Sequence, residues 1–90
     1  MNKYLVEFLG TMFLVFVFFA TSNWFAIGSA LGVAFLLGGA ISGGAFNPAV
    51  AISLYSAGKI AKSDIMPYII AEMLGALAAF YIYKKFVNKV

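Results

Sequence analysis

Few side chains in this sequence can do chemistry. The chain has 90 residues, no His, no Cys, and three acidic residues, Glu7, Asp64 and Glu72. No nucleophile–base pair, metal-ligand set or phosphate-binding spacing can be assembled from them, so no enzyme, metal centre or cofactor is expected. What remains is two carboxylates inside apolar runs and one unusual stretch, SGGAFNPAV (42–50). An ionisable group inside an apolar span is expensive, which makes Glu7 and Glu72 functional candidates. Glu7 lies near the end of its run and could simply snorkel to the surface. Asn47 offers an amide that both donates and accepts hydrogen bonds, and the minimal reading of Asn47-Pro48 is a helix cap.

The elements around these residues are apolar. Of all residues 64% are hydrophobic and only 10% charged, and the mean hydropathy is +1.02. A soluble domain of this size could not bury that much apolar surface. Three runs are long enough to cross a bilayer: Tyr4–Thr21, Trp24–Ile41 and Ile65–Tyr83. At about 1.5 Å per residue each reaches roughly 27–29 Å, against a hydrocarbon core of about 30 Å. The first run is not read as a signal peptide, because it carries Glu7, is longer than the usual apolar region and lacks a small-x-small cleavage site. TSN (21–23) makes a tight turn, and Trp24 and Phe25 after it suit a membrane interface. The net charge of +3 is spread over the chain ends and one loop, which gives no case for nucleic acid.

The stretch at 42–50 breaks this pattern. Asn47 is a favoured N-cap and Pro48 fits the first helical position. Gly58-Lys59 reads as a stop, with a cation near the negative helix end. Pro48–Ala57 is therefore a helix of roughly 15 Å, half a bilayer. Residues 42–46 before it must be extended, and unpaired backbone at membrane depth is tolerated only inside protein or along a wet cavity. The simplest arrangement is a re-entrant loop over about 42–57 that turns at Asn47 and leaves on the side it entered. The alternative is a surface loop followed by an interfacial helix.

SGGAFNPAV closely resembles the first Asn-Pro-Ala loop of the aquaporin, or major intrinsic protein, family of water and glycerol channels. EFLGTMFLVF (7–16) is similar to that family's first span, ISGGAFNPAVAISLYSAGKI (41–60) to its loop and half-helix, and PYIIAEMLGALAAFYIY (67–83) to its third span. The resemblance implies an all-α membrane fold in which residues 1–90 form a single aquaporin-like repeat. Family members usually contain two inverted halves, and this chain resembles the first. It also departs from the pattern. Val50 stands where the second family loop usually carries Arg, Ala45 where the first often carries His, and Glu72 where the third span commonly has Gln. The link between spans one and two is shorter than usual.

The resemblance implies a pore role for Asn47, Pro48 and Ala49, with the free carbonyls of Gly43, Gly44, Ala45 and Phe46 as acceptors along one wall. Constriction positions fall at Ile27, Phe35, Gly44 and Val50, all apolar or bare backbone. That favours glycerol or other small neutral solutes passing with water, with a dry hydrophobic gate as the alternative, although Ile27 and Phe35 could equally face lipid or core. Glu7 resembles a brace for the loop backbone, and Glu72 could brace the same loop, stay protonated or bind a proton.

One half cannot make a pore, since one half-helix ends at the midplane. Lys3, Lys59 and Lys62 fall on one side and Lys84, Lys85 and Lys89 on the other, so the positive-inside bias is balanced. The expectation is insertion in both orientations and an antiparallel homodimer in a plasma or inner membrane, in contact with membrane lipids. Four dimers, eight chains, is a plausible assembly by analogy with relatives. The polar start and lysine-rich end read as the ends of one unit. Alternatives are a half-channel needing a different partner half, a dual-topology proton-coupled transporter using Glu72, and a non-transporting relic. Small residues at Gly28–Gly32 and at Ala71, Gly75 and Ala79 mark expected close helix crossings, as do Gly10 and Gly38-Gly39.

Overall fold

A computed structural model describes residues 1–87. Within them the chain forms four α-helices: α1 (Lys3–Thr21), α2 (Trp24–Ser42), α3 (Pro48–Ser56) and α4 (Ile65–Phe86), with a single 3-10 turn at Lys62–Asp64 before α4. Three of these, counting the turn with α4, are long and apolar enough to cross a bilayer. The long helices match the three apolar runs, with α4 reaching three residues past the expected end at Tyr83. Lys89 lies outside the described residues.

Asparagine starts three of the helices. Asn2 Oδ1 accepts from the N–H groups of Tyr4 and Leu5, and Asn23 Oδ1 from those of Phe25 and Ala26. Asn47 begins α3 in the same way, with Pro48 at the first position. Each cap satisfies donors that a helix start leaves free. The turn after α1 closes on Ser22, whose φ of 47° is left-handed. It is short enough to force α2 back alongside α1.

Helices α1 and α4 run parallel and form the main contact. At one end Asp64 holds Lys3 and Tyr4; at the other, Phe19 stacks on Tyr83. Between them the two backbones nearly touch at Gly75. A Cβ there would lie 2.5 Å from the Phe8 carbonyl oxygen and 3.2 Å from the Met12 nitrogen. Ala79, one turn further, is fully buried. The expected close crossing on α4 is therefore present. Gly28 and Gly32 differ: nothing lies within 4 Å of a Cβ at either, so this stripe makes no crossing within the chain. Gly10 and Gly38 serve yet another purpose: Gly10 makes room for the Phe46 ring, and Gly38 for the Val6 side chain.

The segment between α2 and α3 enters and leaves at one end of the bundle. A Cβ at Gly43, where it begins, would lie 3.6 Å from Leu54 and 3.9 Å from Ile60, near where the chain comes out again. Gly44, Ala45 and Phe46 are buried, so the segment folds into the bundle rather than over its surface. α3 is nine residues long, about half a bilayer at 1.5 Å per residue.

Candidate functional site

Glu7 organises the loop. It is completely buried, one turn into α1. Its Oε2 accepts from the Ser42 hydroxyl at 2.6 Å and the Ala45 N–H at 3.2 Å, and its Oε1 accepts from the Phe46 N–H at 2.8 Å. These partners include N–H groups that no helix satisfies. Glu7 does not snorkel.

The loop backbone needs this support because it is unusual. Gly43 and Gly44 have φ of 88° and 67°, and Phe46 has φ of 53°. Positive φ in a residue with a large side chain is strained. Phe46 is held there by burial: its ring fills the space at Gly10, where a Cβ would overlap it, and packs with Val6 and Ala34. Gly44 is constrained twice, since a Cβ would also meet the Phe35 ring at 2.5 Å. From the other side the Tyr68 hydroxyl donates to the Ser42 carbonyl, while Ala45 and Ala51 pack against the Tyr68 ring.

Asn47 is presented at the tip. Its Oδ1 accepts from the Ala49 N–H at 2.7 Å, which fixes the amide orientation and leaves Nδ2 with its two donors outward. Among the described residues no hydrogen bond ends on the carbonyls of Gly43, Gly44, Ala45 or Phe46. Asn47, Ala49 and Val50 are exposed, and Pro48 is half-buried. Phe35 is also exposed and lies over Gly39 and Gly44. Three of the four expected constriction residues thus gather near the loop: Phe35, Gly44 and Val50. Ile27 stands apart, half-buried and eight residues before Phe35 on α2, roughly 12 Å along the helix axis.

Glu72 is buried on α4, one turn past Tyr68, whose ring meets Tyr4, and one turn before Gly75, which meets the Phe8 backbone. Neither of its oxygens makes a hydrogen bond of ordinary geometry. Sequence reasoning missed Ser42, Tyr68 and the fixing of Phe46 by Gly10. It also left Asp64 as a loop residue, whereas Asp64 is buried and receives Lys3 Nζ at 2.8 Å and the Tyr4 hydroxyl at 2.7 Å. Nothing local signals partners sixty residues apart.

The family profile described as Major intrinsic protein matches residues 1–90. The chain belongs to the major intrinsic protein family. A glycerol uptake facilitator protein-like 6 of Lactiplantibacillus plantarum is 43% identical over 98% of this chain and 45% of its own length. Aquaporin Z of Brucella melitensis is 41% identical over 88% of this chain and 41% of its own. Aquaporin AqpM of Methanothermobacter thermautotrophicus is 46% identical over 68% and 26%. The chain spans less than half the length of these major intrinsic proteins. No solved structure matches it. Family membership and three bilayer-length apolar helices make it an integral membrane protein.

Proposed function

We propose that this chain forms a passive channel for water and small neutral solutes such as glycerol. The pore lies between two antiparallel copies whose Asn47-Pro48-Ala49 tips meet near the midplane. The observation that carries this reading is the free Nδ2 of an exposed Asn47 beside four unbonded carbonyls. Inside a bilayer such groups call for a polar occupant.

Each tip presents a donor at the positive end of a half-helix, and the carbonyls present acceptors beside it. A passing hydroxyl or water donates to a carbonyl and accepts from Asn47. Two opposed helix N-termini repel cations and reorient water, which interrupts proton conduction. Phe35 and Val50 shape an apolar mouth. Lys3, Lys59 and Lys62 at one end against Lys84 and Lys85 at the other are consistent with insertion in both orientations. Related proteins named as aquaporins and as a glycerol uptake facilitator support the solute class. Four dimers would complete an octamer.

The test is stopped-flow light scattering of liposomes holding only this chain, with sucrose and then glycerol as osmolyte. Water flux well above empty liposomes is expected, and its loss in Asn47→Asp combined with Pro48→Ala. No flux from an inserted, folded chain overturns self-sufficiency and leaves a different partner half. The buried Glu72 favours a second reading, proton-coupled transport; flux that requires a pH gradient would select it.

A further inference from the structure

Two acidic groups lie inside the α1–α4 seam, away from the Lys3–Asp64 pair at its end. Glu7 is fully buried and Glu72 is 1% exposed. Tyr68, one turn before Glu72, meets Tyr4 with ring centroids 5.9 Å apart, and Gly75, one turn after it, meets the Phe8 backbone, so Glu72 and Glu7 lie at the same level of the seam. Glu7 already receives three donors from Ser42, Ala45 and Phe46. Both Glu72 oxygens are without a partner. Thr11, one turn along α1 from Glu7, is buried with its hydroxyl unbonded too, so it does not serve either carboxyl.

Among the described residues no positive charge balances the pair. Lys3 is committed to Asp64 at the end of the bundle. Lys59, Lys62, Lys84 and Lys85 are exposed, and the chain has no Arg or His. The other titratable groups facing this region are accounted for. Tyr68, one turn before Glu72, donates to the Ser42 carbonyl. Asp64 and Tyr4 hold each other near the surface. Tyr55 of α3 is exposed, and neither α2 nor the loop at 43–47 carries a titratable residue. Two anions side by side in this buried seam would repel. Glu7 has three donors, and among the described residues Glu72 has none.

We propose that Glu72 is a proton-binding site: a neutral acid whose hydroxyl donates to Glu7, closing the hydrogen-bond network that holds the loop. The proton replaces a cation and joins two acceptors that otherwise face each other. Glu72 is a positioning residue, acting on the Asn47 tip through Glu7. The network is complete while the proton is bound. As pH rises and Glu72 ionises, repulsion between the carboxylates loosens the loop. Loop order is therefore present at acid and neutral pH and lost at high pH. The link to transport rests on the channel reading above; the protonation state does not.

The test is infrared spectroscopy of the purified chain in lipid vesicles across a pH series, with solute flux measured on the same samples. A protonated-carboxyl carbonyl band is expected at neutral pH. It disappears in Glu72→Gln, survives in Asp64→Asn, and converts to carboxylate absorption as pH rises, together with a fall in flux that Glu72→Gln abolishes. A neutral-pH spectrum showing only ionised carboxylates overturns the proposal, whether a metal cation or water stands between the groups. A band without flux would keep the site and reject the channel, whereas flux without a band would do the reverse.

Discussion

Two glycine-containing regions of this molecule look alike on paper and differ in space. On α4, Gly75 brings two helix backbones nearly into contact. On α2, Gly28 and Gly32 face nothing within the chain. The first lies in the same seam as Glu7, Glu72 and the loop; the second lies toward the exposed Trp24 end. The α4 face is locked against α1 by backbone proximity and buried hydrogen bonds, whereas the Gly28–Gly32 face of α2 is open. Small residues permit close approach but do not cause it. Here approach occurs where a polar network also ties the helices together.

The sharpest way to break the locked end is Phe46→Ala. The ring fills space shared by Gly10, Val6 and Ala34, so its loss should cost about 3–5 kcal/mol, as for other buried Phe truncations. Thermal unfolding in detergent measures this, and a change under about 1 kcal/mol would mean that the pocket does not anchor the loop. Gly75→Ala should cost somewhat less, about 1–3 kcal/mol, because the backbone of α1 has to move away. The same unfolding measurement checks it. An unchanged melting temperature would show that the seam is looser than the 2.5 Å approach implies. Gly28→Ala gives the smallest effect. With open space around it, the monomer should be stabilised by up to about 1 kcal/mol through helix propensity. Cross-linking in liposomes completes the comparison: if Gly28→Ala instead abolishes self-association, the open face is where a second copy sits.

The outline of the fold was legible because its signals are local. Asn2, Asn23 and Asn47 cap the helices that follow them, and these residues favour that role in any context. Hydropathy marked the long helices to within three residues. Asn47-Pro48 and Gly58 bounded the short one, which ends at Ser56, one residue before the expected Ala57. The candidate site was legible only in part. Family resemblance pointed to Glu7 and the Asn47 tip. It also grouped Ile27 with Phe35, whose positions on α2 separate them.

Sequence alone determined where the helices run and where the bilayer pattern is interrupted. Tertiary structure decided which residues hold the interruption in place: Glu7 reaching Phe46 across 39 positions, Phe46 filling the space at Gly10, Tyr68 meeting Ser42, and Asp64 joining Lys3. The physical reason is that these helices are apolar almost all round. A soluble helix shows its inner face by a stripe of apolar residues, but a helix bathed in lipid carries no such stripe. Inside and outside then differ only by contact, and contacts between distant residues exist only once the chain has folded.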